Sequence, residues 1–196
     1  MKTKRLILVI VFLNLFLFSM FTVYIFKKET QKIRLPVLGT VHDFLLYDTK
    51  AKEFQLKDLD NKIWIANFIF TTCGGICPIM SKNMAALHRS YFRENDIEVV
   101  SFTVNPENDS PEVLAQYAQK LNADTSKWHF LTGSRETITD LAVNSFKIGS
   151  VAEPIFHSGY FILIDKKAQI RGYYDGTEQE AVRKLFKDVA QLLKES

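Results

Sequence analysis

Ile63-Trp64-Ile65-Ala66-Asn67-Phe68-Ile69-Phe70-Thr71-Thr72-Cys73-Gly74-Gly75-Ile76-Cys77-Pro78 is the stretch on which the fold turns. Its first eight residues form a nearly continuous apolar run with β-branched and aromatic side chains, the pattern of a strand buried on both faces. Pro78 suits the first turn of a helix, where its missing N–H costs nothing. Met80, Met84, Leu87 and Tyr91 then give that helix one apolar face. Between strand and helix stand the only two cysteines of the 196-residue chain. Two cysteines close at most one disulfide, and a domain this long needs no such staple. The pair is read as chemical rather than structural, against the alternative of two buried free thiols.

Outward from this stretch, strand and helix patterns alternate. Phe44 to Tyr47 and Glu53 to Leu56 flank Asp48-Thr49-Lys50 as a small hairpin, and Ile97 to Val104 is a second buried strand. Ser110-Pro111-Glu112 starts a helix with a capping serine and a proline at the first helical position. Trp128 to Leu131 is a third strand, and Ser134 caps a further helix through Ile138, Leu141 and Ala142. Tyr160 to Ile164 and Ile170 to Tyr174 form a closing hairpin. Thr177-Glu178-Gln179-Glu180 has the spacing of a capping box before an amphipathic helix carrying Val182, Leu185, Val189 and Leu192. This order predicts an α/β fold with a mostly parallel central sheet, an N-terminal β-hairpin extension and an antiparallel C-terminal hairpin. A dithiol between the first buried strand and its helix, with a later β-β-α closure, is the thioredoxin-like arrangement.

The first 28 residues predict a membrane anchor. The uncharged run from Leu6 to Phe26, broken only by Asn14, Ser19 and Thr22, would reach roughly 31 Å as a helix, close to the thickness of a bilayer's hydrocarbon core. A signal peptide would have a shorter apolar core and a small-residue cleavage site, whereas this run ends in Val23-Tyr24-Ile25-Phe26-Lys27-Lys28. Residues 29–36 read as a tether and 37–196 as one domain. Basic residues on both sides of the span leave its orientation open.

The formal charge of +3 belongs to the anchor region. Residues 1–28 hold five of the 25 basic residues and no acidic ones, leaving 20 basic against 22 acidic in the remainder. A near-neutral domain does not suit nucleic-acid binding through a basic surface.

Cys73 and Cys77 are four apart, not three as in the redox C-x-x-C motif. On a locally helical segment, positions i and i+4 face the same way, so both sulfurs can converge and either close a disulfide or hold one metal ion. Zinc in a structural site takes four protein ligands, and the sequence offers no convincing fourth.

In four ordered blocks the chain resembles the SCO (SenC) family. These are Cys73-x-x-x-Cys77-Pro78 after a strand, Val104-Asn105-Pro106-Glu107-Asn108-Asp109-Ser110-Pro111-Glu112, Leu131-Thr132-Gly133-Ser134, and His157-Ser158 before Tyr160 to Asp165. The resemblance implies a thioredoxin-like, membrane-tethered protein of the bacterial cytoplasmic membrane, facing the periplasm or cell exterior. Its cargo would be copper, as Cu(I) or Cu(II), for the Cu-A centre of cytochrome c oxidase. It further implies Cys73, Cys77 and His157 as ligands, and the copper-bearing oxidase subunit or another copper or thiol protein as partner. Two thiolates favour Cu(I), and an imidazole makes the set acceptable to Cu(II) as well. The same sulfurs suit a thiol-disulfide oxidoreductase with Cys73 and Cys77 as its redox pair. A peroxidase and a plain interaction module are further alternatives.

His42, His88 and His129 match no family block and are expected to be surface or hydrogen-bonded core residues. The chain departs from the family pattern at Gly74-Gly75-Ile76, where members commonly carry Pro-Asp-Ile, and at Asn105, where aspartate is usual. The glycines raise the ordering cost of binding a metal.

Overall fold

The computed structural model describes residues 10, 12–22, 34–149 and 159–195, and it divides the chain into two units, Met1–Arg34 and Leu35–Ser196. In the first unit residues 12–22 are helical (α1), with Phe12, Phe16, Phe18 and Phe21 exposed. Two of the three polar side chains of α1 turn back on the helix itself. Asn14 Nδ2 donates to the Ile10 carbonyl at 2.8 Å and Thr22 Oγ1 to the Ser19 carbonyl at 2.8 Å. Among the described residues no helix is long and apolar enough to cross a membrane. The apolar run Leu6 to Phe26 extends past α1 at both ends, outside the described residues.

The second unit is built on a six-stranded sheet. In chain order its elements are β1 (Gly39–Thr40), a hairpin of β2 (Leu45–Tyr47) and β3 (Glu53–Gln55), β4 (Ile63–Ile69), α2 (Cys77–Tyr91), β5 (Ile97–Thr103), α3 (Pro111–Lys120), β6 (Trp128–Leu131), α4 (Arg135–Asp140), β7 (Tyr160–Ile164), β8 (Gln169–Asp175) and α5 (Gln179–Glu195). The strand order is β1-β8-β7-β4-β5-β6.

This sheet is mixed, which corrects the expectation of a mostly parallel one. Only β4-β5 and β5-β6 pair in parallel, whereas β7 lies antiparallel against β4, β8 against β7, and β1 against β8. The closing hairpin supplies half of the sheet once the two-residue strand β1 joins it. Such a short strand carries no alternation in the sequence to announce it.

All seven residues of β4 are buried, as its unbroken apolar run requires. Its alternate side chains feed two cores. Trp64, Ala66 and Phe68 face a layer with Leu46, Phe102, Leu141 and Phe146. Ile63, Ile65 and Ile69 face a second layer holding Met80, Met84 and Leu87 of α2, Leu114 of α3, and Leu185 and Val189 of α5. The rings of Phe68 and Phe102 stack at 5.3 Å, with Phe146 edge-on to Phe68 at 5.4 Å.

The caps follow the sequence in two helices and depart from it in a third. Ser110 Oγ accepts from the Val113 amide at 3.4 Å, and Ser134 Oγ from the Thr137 amide at 3.0 Å. Thr177 forms no capping box, because its hydroxyl and amide both donate to Asp175 Oδ1, at 2.6 and 2.8 Å. Helix α5 accordingly begins two residues later, at Gln179. Past α4, residues Leu141–Ser145 widen into a π-helical turn.

At β6 the hairpin closes the sheet margin. Tyr47 and Thr132 exchange backbone hydrogen bonds of 2.8 and 2.9 Å. Gly133 permits this approach, since a Cβ there would drive into Leu46 Cδ2.

Candidate functional site

The site lies where β4 gives way to α2, at the carboxyl ends of the parallel strands, the usual location for ligands in such sheets. Ile69 still accepts the Val104 amide at 2.8 Å, so the ladder with β5 continues to the strand's last residue. The chain then turns, with the Cys73 amide donating to the Phe70 carbonyl at 3.2 Å. At Ile76 the helix opens, its carbonyl accepting from Ile79 and Met80, both at 3.1 Å. This turn brings the two sulfurs together. Both cysteines are free, Cys73 half-buried and Cys77 buried.

The environments of the two thiols differ. Burial pushes Cys73 up, but the Cys77 thiol and the backbone amides of Cys77, Gly75 and Ile76 all hydrogen-bond to its sulfur and together hold it below its ordinary value. Amides at a helix mouth act as a cradle for negative charge, the setting that activates cysteines. For Cys77, burial and the hydrogen bond to Cys73 push the thiol up to about 12, against a donating Phe70 amide. The half-buried sulfur gives up its proton more readily than an ordinary thiol, and the buried one beneath it less readily.

Below the loop lies a wholly buried carboxylate. Asp109 accepts from the Thr71 amide at 3.1 Å, from Thr71 Oγ1 at 2.5 Å and from Thr103 Oγ1 at 2.5 Å. Thr103 Oγ1 in turn accepts from the Asn105 amide at 3.0 Å. Near the cysteines, Ser81 Oγ and the Tyr117 hydroxyl share a hydrogen bond of 2.7 Å. Burial raises the Tyr117 phenol, and the charges of Cys77, Cys73 and Asp109 act on it in the same direction.

Of the three ligands implied by the resemblance, Cys73 and Cys77 meet, and His157 lies outside the described residues together with Glu153 and Pro154. Among the described residues no group of three or more His, Cys, Asp or Glu side chains could hold a metal ion. The other histidines behave as expected. His88 is buried and its Nε2 accepts from the Asp124 amide at 3.3 Å, while His129 Nε2 is 3.1 Å from Glu98 Oε2. His42 is exposed.

Neither glycine between the cysteines is required by its surroundings. A Cβ on Gly74 would meet nothing within 4 Å, one on Gly75 would only touch Cys73 Sγ at 4.0 Å, and neither residue has positive φ. Asn105 Oδ1 accepts from Asn108 Nδ2 at 3.0 Å, which closes the turn that carries Asp109 inward. The Asp109 cluster was not legible in advance, because its members lie 38 and 6 residues apart and no spacing rule links them.

The sequence model of the SCO1/SenC family matches residues 37–194, nearly the whole second unit. The chain belongs to this family. It is 33% identical over 166 residues to the SCO1 protein homolog of Bacillus subtilis, covering 81% of this chain and 86% of that one. In three dimensions it is similar to a SCO1/SenC family lipoprotein from Bacillus anthracis, with a TM-score of 0.71 and 34% identity over 79% of this chain and 95% of that chain. Arabidopsis thaliana ScoI, solved with copper bound, shares the fold at a TM-score of 0.64 and 24% identity, covering 79% of this chain and 99% of that chain. The fold is the thioredoxin-like fold of Sco proteins.

Proposed function

We propose that this family member is a membrane-anchored copper chaperone serving assembly of the Cu-A centre of cytochrome c oxidase, with Cys73 and Cys77 as thiolate ligands and His157 as the imidazole ligand. The observation that carries the proposal is the convergence of two sulfurs at the mouth of α2, one half-buried and cradled by three amides, the other buried. Copper is cargo here. Soft thiolates hold Cu(I), and an imidazole extends the set to Cu(II). Three protein donors leave a coordination position open, and the accessible Cys73 is where a partner's donors enter to exchange the ion. The copper-bearing oxidase subunit, with thiolate and imidazole donors of its own, is the partner that fits.

The anchor is part of the proposal. Asn14 and Thr22 satisfy their side chains on their own helix, as a segment in hydrocarbon must. Both cysteines of the sequence belong to the dithiol, so neither is left over for the lipid attachment that the Bacillus anthracis relative's description implies. An apolar helix over residues 6–26 in the bacterial cytoplasmic membrane would do the same work, with the domain facing the periplasm or cell exterior.

Anaerobic copper titration of the reduced full chain in detergent tests the proposal. The expected result is one equivalent bound per chain, lost in Cys73→Ser and Cys77→Ser. In His157→Ala, Cu(II) binding weakens while the melting temperature holds. Absence of copper uptake at micromolar concentration by the unaltered chain would refute it.

The unequal thiols favour a second reading, a thiol-disulfide oxidoreductase. The Cys73 thiolate would attack a partner's disulfide to form a mixed disulfide, releasing one partner thiol. Cys77 would then displace the second, leaving Cys73–Cys77 oxidised and the partner reduced by two electrons. This activity needs both cysteines and not His157, so its survival in His157→Ala separates the two readings.

A further inference from the structure

We infer that Asp109 is the positioning residue of the dithiol, a latch that fixes the root of the Cys73 loop to the end of β5 and so pre-sets the approach of the two sulfurs. The inference rests on Cys73 and Cys77 acting as a pair, as proposed above, and adds a residue that touches neither of them.

A buried carboxylate is costly unless it is paired with a cation or saturated with hydrogen bonds. Asp109 is wholly buried, and no cation opposes it among the described residues. Its stabilisation comes from three donors on two different segments. Thr71, two residues before Cys73, contributes its amide and its hydroxyl, and Thr103, the last residue of β5, contributes its hydroxyl. The arrangement is directional. Thr103 Oγ1 takes the Asn105 amide, which leaves its proton aimed at Asp109. The turn of residues 105–109, closed by the Asn108 and Asp109 amides on the Asn105 carbonyl at 3.0 and 2.9 Å, returns the carboxylate under the loop.

The polar investment falls where the apolar scaffold runs out. Up to Ile69 the backbone is held by the β-ladder, and from Ile76 onward by the helix. Between them the loop contains two glycines with open surroundings, so its conformational freedom is large. The latch removes freedom at the loop's first residues, and the helix removes it at the last. A dithiol held in this way pays less entropy on closing a disulfide or on gathering an ion.

The test uses the full chain in detergent, without copper. The Cys73–Cys77 disulfide is equilibrated against reduced and oxidised glutathione, and the oxidised fraction is read by mass after alkylation. Thr103→Val is isosteric and removes one donor, Thr103→Ser restores it, and Asp109→Asn replaces the acceptor. With the latch, Thr103→Val and Asp109→Asn disfavour the disulfide by about fivefold to tenfold, the worth of roughly one hydrogen bond, and Thr103→Ser stays within about twofold of the unaltered chain. Circular dichroism confirms that each variant is folded at the temperature of measurement, so a loss confined to global stability leaves the equilibrium unmoved. If folded Thr103→Val matches the unaltered chain within twofold, the latch is refuted. If Thr103→Val and Asp109→Asn both fail to fold while Thr103→Ser folds, Asp109 is a determinant of the fold and the positioning role is refuted too. The reading needs no metal, so failure of copper uptake would remove the chaperone proposal and leave the latch standing.

Discussion

The two ends of β4 lie against the same sheet and use polar groups in opposite ways. Near Ile63, Arg171 of β8 is almost fully buried and is answered on every side. It pairs with Asp165 at 2.7 Å and Glu195 at 3.6 Å, and donates to the carbonyls of Pro36 at 3.0 Å and Leu35 at 2.5 Å. That end ties the entering chain, the β7–β8 turn and the last helix together. Beyond Ile69, the buried Asp109 has hydroxyls and an amide for partners, and above it one sulfur stays within reach of solvent. Charges that neutralise each other close a structure. Polar groups satisfied without neutralisation hold a reactive pair in place and leave it available.

The largest effect should separate the two sulfurs at the open end. Thiolate, not thiol, reacts with iodoacetamide, so Cys73, held below its ordinary value, should be alkylated at pH 7 at least about tenfold faster than Cys77, pushed up to about 12. Peptide mass mapping after a short exposure checks the order, and equal labelling would erase the asymmetry. At the closed end, Arg171→Gln should cost about 3 kcal/mol in denaturant unfolding, because it strips a buried ion pair and two carbonyl partners while copper stoichiometry stays unchanged. A variant that loses copper instead of stability would show the two ends to be coupled. The smallest effect is Gly74→Ala, which meets open space at ordinary φ and should stabilise by about 0.5 kcal/mol through the unfolded chain.

Acid should act on the domain through His88. Burial lowers its pKa, so the folded state binds fewer protons than the unfolded state, and the stability present above about pH 6.5 is lost as pH falls below it. A melting temperature that declines between pH 7 and 5 in the unaltered chain, and less in His88→Gln, is the expected outcome.

The sequence was most legible where burial alone sets the pattern. The runs Ile63 to Phe70 and Ile97 to Val104 must be strands because only a sheet covered on both faces hides so many apolar side chains, and both are. The two sulfurs were legible as a pair, but not the way they meet: α2 begins only at Cys77, so Cys73 reaches its partner from the turn before the helix and not along a helical repeat. Where β7 would insert was not, since an apolar strand of five residues suits a parallel or an antiparallel neighbour equally well, and its contact with β4 is decided by the whole sheet. Thr177 shows local competition winning, with Asp175 taking the hydroxyl that the capping box needed. Asp109 was visible as a residue and invisible as a cluster, because hydrogen bonds between loops carry no periodicity.

The pairing of Tyr47 with Thr132 has a consequence for how these domains behave in a crowd. A sheet offers other chains its outermost strands, and here those are β1, two residues long, and β6, four residues long and met at its end by the hairpin. Among the described residues neither margin presents a row of free amides and carbonyls long enough to recruit a neighbour's strand, so copies can crowd together without knitting into a common sheet.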